Sequence, residues 1–314
     1  MAISYLTILS NQKLIPELFS DKRWQELTID EKKEIIYSIF HIKNWEKLNP
    51  EYRIYILQEL ENINASMQER VAYKIIIEEN DEITSSVYKG PSNCREIRIN
   101  RKYILDGIRY KVQIIQDGTN NITEEQLDNT NVELFCSICH EGEHAKQEEG
   151  IKNDINTREI NECRLNCLTH PDDKEKNNII KASEDVIFYK LQPAEYYAFL
   201  NSENETRTVF SMLQAKFGID EGYIKWYEDA KANSYEALAK QWNINNNMKE
   251  WAGVEYTVTG LRKKVMNLLL DNMREWYNIH SPFKACEELN LNYKDYSPKI
   301  MDDWILESNE HEEK

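Results

Sequence analysis

Glycine and proline are scarce, at 9 and 7 in 314 residues. So few turn formers exclude a collagen-like chain, a flexible linker protein and a loop-rich sandwich. Nowhere do 18 apolar residues run together, so no membrane span is predicted. Basic side chains are outnumbered, 39 against 55 acidic, for a formal net charge of −16 and a pI near 5.0. A protein that holds nucleic acid by neutralising phosphates carries the opposite sign, so no nucleic-acid partner is expected. No secretory signal is expected either. The apolar run within Met1–Ser10 has no basic residue before it and no clear cleavage site, so the segment reads as mature protein. The expected location is the cytoplasm, or outside the cell by a route that needs no such signal. Reduced thiols are then the default for the six cysteines, at 94, 136, 139, 163, 167 and 286.

What is present suits a folded protein. Hydrophobic residues make up 41% and the mean hydropathy is −0.70, with enough chain for one large or two small domains. Residues 14–80 read as helices. Trp24, Leu27, Ile35, Ile36, Ile39 and Phe40 recur at three- and four-residue spacings, Thr28 and Glu31 form a capping box, and Pro50 stands in a first turn. The period changes to two at Ile97 and Ile99, and again at Tyr110, Val112 and Ile114, which predicts two strands of a small sheet around the Asp106-Gly107 turn. Glu124 to Glu149 is predicted helical, 150–185 is a polar excursion, and a helix starts again near Pro193. Several aromatic-rich helices follow, and the tail from Glu307 is expected to fray. The fold class is thus α+β, mostly α-helical. The organisation read from composition is an N-terminal helical region (1–82), a core (83–205) and a C-terminal helical region (206–314).

Negative charge collects in residues 111–200, which hold 9 basic against 18 acidic side chains. A solvated acidic surface accounts for this, and so does a set of carboxylates for a cation. Within that third lies Phe135-Cys-Ser-Ile-Cys-His-Glu-Gly-Glu-His-Ala-Lys-Gln147, which contains an H-E-x-x-H string. Residues i and i+4 share a helix face, so His140 and His144 can reach one zinc ion, with Glu141 beside a zinc-bound water as general base. A zinc hydrolase adds a third protein ligand and leaves the fourth position to water. Downstream candidates are Cys163, Cys167, His170 and several acids. Glu195 in Gln192-Pro-Ala-Glu195 is favoured because a newly started helix carries it, although a first-turn carboxylate also suits the helix dipole.

His140-Glu-Gly-Glu-His-Ala-Lys-Gln147 followed by Gln192-Pro-Ala-Glu195 resembles the zinc metallopeptidases called zincins, in their glutamate-ligand (gluzincin) branch. The upstream stretch is similar to uncharacterised metallopeptidase-like proteins of low-GC Gram-positive bacteria, with a Trp-x-x-Leu helical module and an Ala-x-x-Gln-x-Arg step, here Ala65-Ser-Met-Gln68-Glu-Arg70. The resemblance covers about residues 20–200. It implies a zincin-like core, a Zn2+ ion on His140, His144 and Glu195, Glu141 as general base, and a peptide or protein substrate aligned by the strand around Ile97–Asn100. One feature departs from that pattern. An acidic residue often follows the third ligand to orient a histidine, and Tyr197 and Phe199 stand in those places.

Other constellations compete. Cys136, Cys139, Cys163 and Cys167 form C-x2-C-x23-C-x3-C, the outline of a four-thiolate zinc site. Cys139 and His140 point about 100° apart on a helix, so one turn would have to serve two metals. Cys136-Ser-Ile-Cys139-His140 also spells a haem-attachment string, which needs an export signal. Tyr189, Tyr196 and His170 are candidate oxyanion donors, each with a plain structural alternative. A catalytically inactive, zincin-like helical interaction protein is the alternative to an enzyme.

Overall fold

The computed structural model describes residues 3–78, 87–89, 95–101, 104, 108–116, 119–127, 130–169, 186–245, 257–277 and 282–292. These residues divide into two compact units, 1–148 with 200–230, and 149–199 with 231–314. Each unit is built from two separate stretches of the chain. The protein is mostly helical, with a small amount of sheet.

The first unit opens with helices α1 (Tyr5–Ser10), α2 (Ile15–Ser20), α3 (Lys22–Gln25), α4 (Ile29–Phe40), α5 (Ile42–Trp45) and α6 (Pro50–Met67). Local chemistry sets their starts. The backbone N–H of Glu31 donates to Thr28 Oγ1 at 3.3 Å, and the Glu31 carboxylate accepts from the Thr28 N–H at 2.8 Å, so the predicted capping box is formed. Pro50 begins α6, and Asn49 caps it through the Glu51 N–H at 3.1 Å. The inward stripes of α4 and α6 hold Ile36, Ile39, Phe40, Ile56, Leu57 and Leu60, all fully buried. Each such side chain contributes roughly 1.5–3 kcal/mol by leaving water. Phe40 stacks on Trp45 at 5.1 Å and meets Phe135 edge-on at 5.1 Å.

Helical character does not persist to residue 80. The chain leaves α6 at Met67 and forms strand β1 (Lys74–Glu78), which joins β2 (Val87–Lys89) and β3 (Glu96–Asn100) in the order β1-β3-β2. β1 runs parallel to β3 with Ile75 opposite Ile97, and β2 runs antiparallel to β3. Ile97 and Ile99 are fully buried, while Arg98 between them turns to Glu78 at 2.5 Å and Glu96 at 2.8 Å. The period-two pattern therefore marks a strand with one covered face. The second predicted strand does not join this sheet. β4 (Ile108–Gln116) pairs instead with β5 (Thr119–Leu127) in a separate antiparallel hairpin. Glu124 and Glu125 thus lie in a strand rather than a helix, and the helix α7 starts at Thr130 (Thr130–Lys152).

The remaining helices are α8 (Arg158–Thr169), α9 (Val186–Leu191), α10 (Pro193–Phe217), α11 (Glu221–Ala232), α12 (Tyr235–Asn245), α13 (Val258–Tyr277) and α14 (Pro282–Glu288). The second unit has its own core, in which Leu165, Leu191, Leu261, Met266, Leu269 and Ala285 are buried together. Among the described residues, no helix is long and apolar enough to cross a membrane. The Asp106-Gly107 turn, His170, Trp251, Trp304 and the tail from Glu307 lie outside the described residues.

Candidate metal centre

Helix α7 carries the histidine string and α10 carries Glu195, each as one unbroken element. The two helices are tied along their length. Phe135 meets Phe210 edge-on at 5.6 Å, the Cys136 thiol bonds to Ser202 and Thr206, and Asn201 Nδ2 donates to Glu143 Oε2 at 3.0 Å. Contacts climb α7 as they descend α10, so the pair is antiparallel. Glu195 stands six residues before Asn201 on α10, about 9 Å along its axis.

The result is a gathering of donors. A nitrogen from His140, a nitrogen from His144 and a carboxylate oxygen from Glu195 all lie within 4.8 Å of one another, and all three residues are half-buried. The Nε2 atoms of His140 and His144 are 3.1 Å apart, with their rings 88° to each other. Two nitrogens at ~2.0–2.1 Å from one tetrahedral zinc stand about 3.3 Å apart, so the pair matches a shared ion. Two imidazoles and a carboxylate form a donor set that fits zinc. Gln147, which is 3% exposed, places Oε1 3.1 Å from His144 Nδ1.

The residues inside the string are occupied too. Glu143 Oε1 accepts from Gln68 Nε2 at 2.5 Å, and its Oε2 accepts from Lys146 at 3.1 Å and from Asn201. Gln68 Oε1 in turn accepts from Arg70 Nε at 2.7 Å. The Arg70 guanidinium forms a two-pronged pair with Glu61 at 2.6 and 2.9 Å, and both side chains are sealed, at 2% and 0% exposed. Glu61 Oε1 also accepts the Tyr73 N–H at 2.8 Å. Gly142 eases this close approach, since a Cβ there would stand 2.8 Å from Arg70 Nη2, which Glu61 holds in place. Gln68 and Arg70, quoted above only for their spacing, thus brace the helix that bears the two histidines.

The departure after Glu195 has a local cause. Tyr197 donates to Glu162 Oε2 at 3.0 Å, Arg262 pairs with the same oxygen, and Arg158 holds the other carboxylate oxygen at 2.9 Å. Burial, with the adjacent Glu162 charge, pushes the Tyr197 hydroxyl up to about 12. Arg262 also lies over the Tyr196 ring at 4.3 Å. Tyr196 and Tyr197 therefore serve this network, and Tyr189 is exposed.

Of the competing sets, the four-thiolate site is not assembled among the described residues, where the triad is the one cluster of three or more potential donors. Burial pushes the Cys136 thiol up to about 12 and Cys139 well above its ordinary range. Sequence reasoning missed Gln147, Glu143, Gln68 and Arg70. For Gln147 a signal existed, since it lies three residues past His144 on the same helix face. Comparison of the chain with protein-family models, with curated proteins and with solved structures finds no match.

Proposed function

We propose that this protein is a zinc-dependent metallopeptidase with a zincin-like core, acting on a peptide or protein. The observation that carries the reading is the convergence of His140, His144 and Glu195 donor atoms within 4.8 Å, from two helices bonded to each other. Zinc held by them supplies Lewis acidity toward a carbonyl and lowers the pKa of a coordinated water toward neutrality. Glu141 is assigned as general base. It follows His140 directly, projects about 60° around the helix from His144, and is 9% exposed. Its carboxylate takes a proton from the attacking water and returns it to the leaving amine. Glu143 is instead bonded to Gln68, Lys146 and Asn201.

The purified full chain, loaded with zinc and desalted, is expected to hold about one ion per molecule, and the His140→Ala/His144→Ala variant none. Glu141→Gln is expected to keep the ion and lose peptide-library cleavage by at least about 100-fold. A wild-type chain that retains no zinc overturns the reading. A zinc-loaded chain that leaves every peptide intact favours the non-catalytic alternative, toward which the engagement of Tyr197 by Glu162 points.

A further inference from the structure

We infer that Gln147 is the positioning residue for the metal ligand His144, setting both its ring orientation and its tautomer. The inference rests on the zinc reading above. A ligating histidine usually donates its second ring N–H to a carboxylate, a backbone carbonyl or water. Here the partner is a buried side-chain amide on the same helix, with Oε1 3.1 Å from His144 Nδ1. An amide oxygen can only accept, so Nδ1 carries the hydrogen. A neutral imidazole then has one lone pair left, at Nε2. That is the atom turned toward His140 Nε2, 3.1 Å away, on the side where the donors gather. The opposite tautomer would aim an N–H at the ion and could not ligate it.

The i+3 spacing makes the device local. One helical turn holds both the ligand and its orienting acceptor, and Gln147 is sealed at 3% exposed. This accounts for a histidine helix that works without an acid at Tyr197 or Phe199. A neutral amide sets the tautomer without adding a further negative charge beside Glu195.

Two measurements on the full-length protein test this. Long-range 1H–15N correlation of the metal-free chain, with His144 signals identified by their loss in His144→Gln, should show the hydrogen on Nδ1. Gln147→Leu should abolish that preference and weaken zinc binding by about 10- to 100-fold in a chelator competition. Gln147→Glu, which keeps the acceptor, should return affinity to within a few-fold of wild type. Gln147→Met, which keeps the length and loses the acceptor, stands in if Gln147→Leu does not fold. A wild-type His144 with its hydrogen on Nε2, or a Gln147→Leu variant that binds zinc as tightly as wild type, overturns the inference while leaving the metal site intact. A wild-type chain that binds no zinc is a different result, which removes the metal reading and takes this inference with it.

Discussion

Glu59 lies buried at the foot of the N-terminal helices, accepting from Trp24 Nε1 at 3.0 Å and from Asn62 Nδ2 at 2.9 Å. Both bonds favour its charged form, yet loss of water outweighs them and raises its pKa above the ordinary 4.5. A carboxyl that holds its proton more tightly when folded favours the fold at low pH. That contribution is full below about 4.5 and is lost as pH rises through the raised value. Urea melts at a series of pH values should show this loss in the wild type and not in Glu59→Gln. Equal pH slopes for the two chains would refute it. Gly142 illustrates a second residue whose surroundings override its intrinsic preference. In an open helix Gly→Ala gains up to about 1 kcal/mol. Here the added methyl meets Arg70 Nη2 at 2.8 Å, on a guanidinium pinned by Glu61. Gly142→Ala should therefore lose about 1–3 kcal/mol, read from the urea midpoint. A gain would mean that Arg70 can yield.

Between elements, the Glu61–Arg70 pair joins α6, the turn before β1, and α7. Removing one partner strands the other charge in a dry interior, which costs about 3–5 kcal/mol. Glu61→Gln or Arg70→Met alone should fall in that range, while Glu61→Leu with Arg70→Met should recover most of the loss. A double-mutant cycle that simply adds would sink the assignment. The same contrast between local and distant causes decides how much of the fold the sequence discloses. Helix starts at Thr28, Pro50 and Pro193 were legible because each is dictated by residues within one turn. The Ile75-Ile76-Ile77 run gives no local sign of a strand, because its partner β3 lies some twenty residues on. Glu124 and Glu125 are helix formers by propensity, and the pairing with β4 overrides that preference. In the candidate site, His140 and His144 were legible from the four-residue step and Glu195 from its place at a helix start. Gln68 and Arg70 carry no local mark of their role, since the helix they brace is about seventy residues away.

For the molecule as a whole, the triad draws on residues 140, 144 and 195, so the three donors come together only in the folded chain. An ion that binds the folded state preferentially raises stability by about 4 kcal/mol at 1,000 times its dissociation constant. The melting temperature of the full chain should climb with free zinc, fall back on chelation, and stay flat in His140→Ala/His144→Ala. A zinc response that survives in that variant would place the ion elsewhere. The braces around Gly142 and Glu143 also bear on protein engineering. The five-residue string from His140 to His144 is not a portable cassette. Grafted onto a foreign scaffold, it would bring two imidazoles but leave behind the amide proposed to align one of them, the guanidinium packed against the glycine, and the glutamine and asparagine that hold the second glutamate.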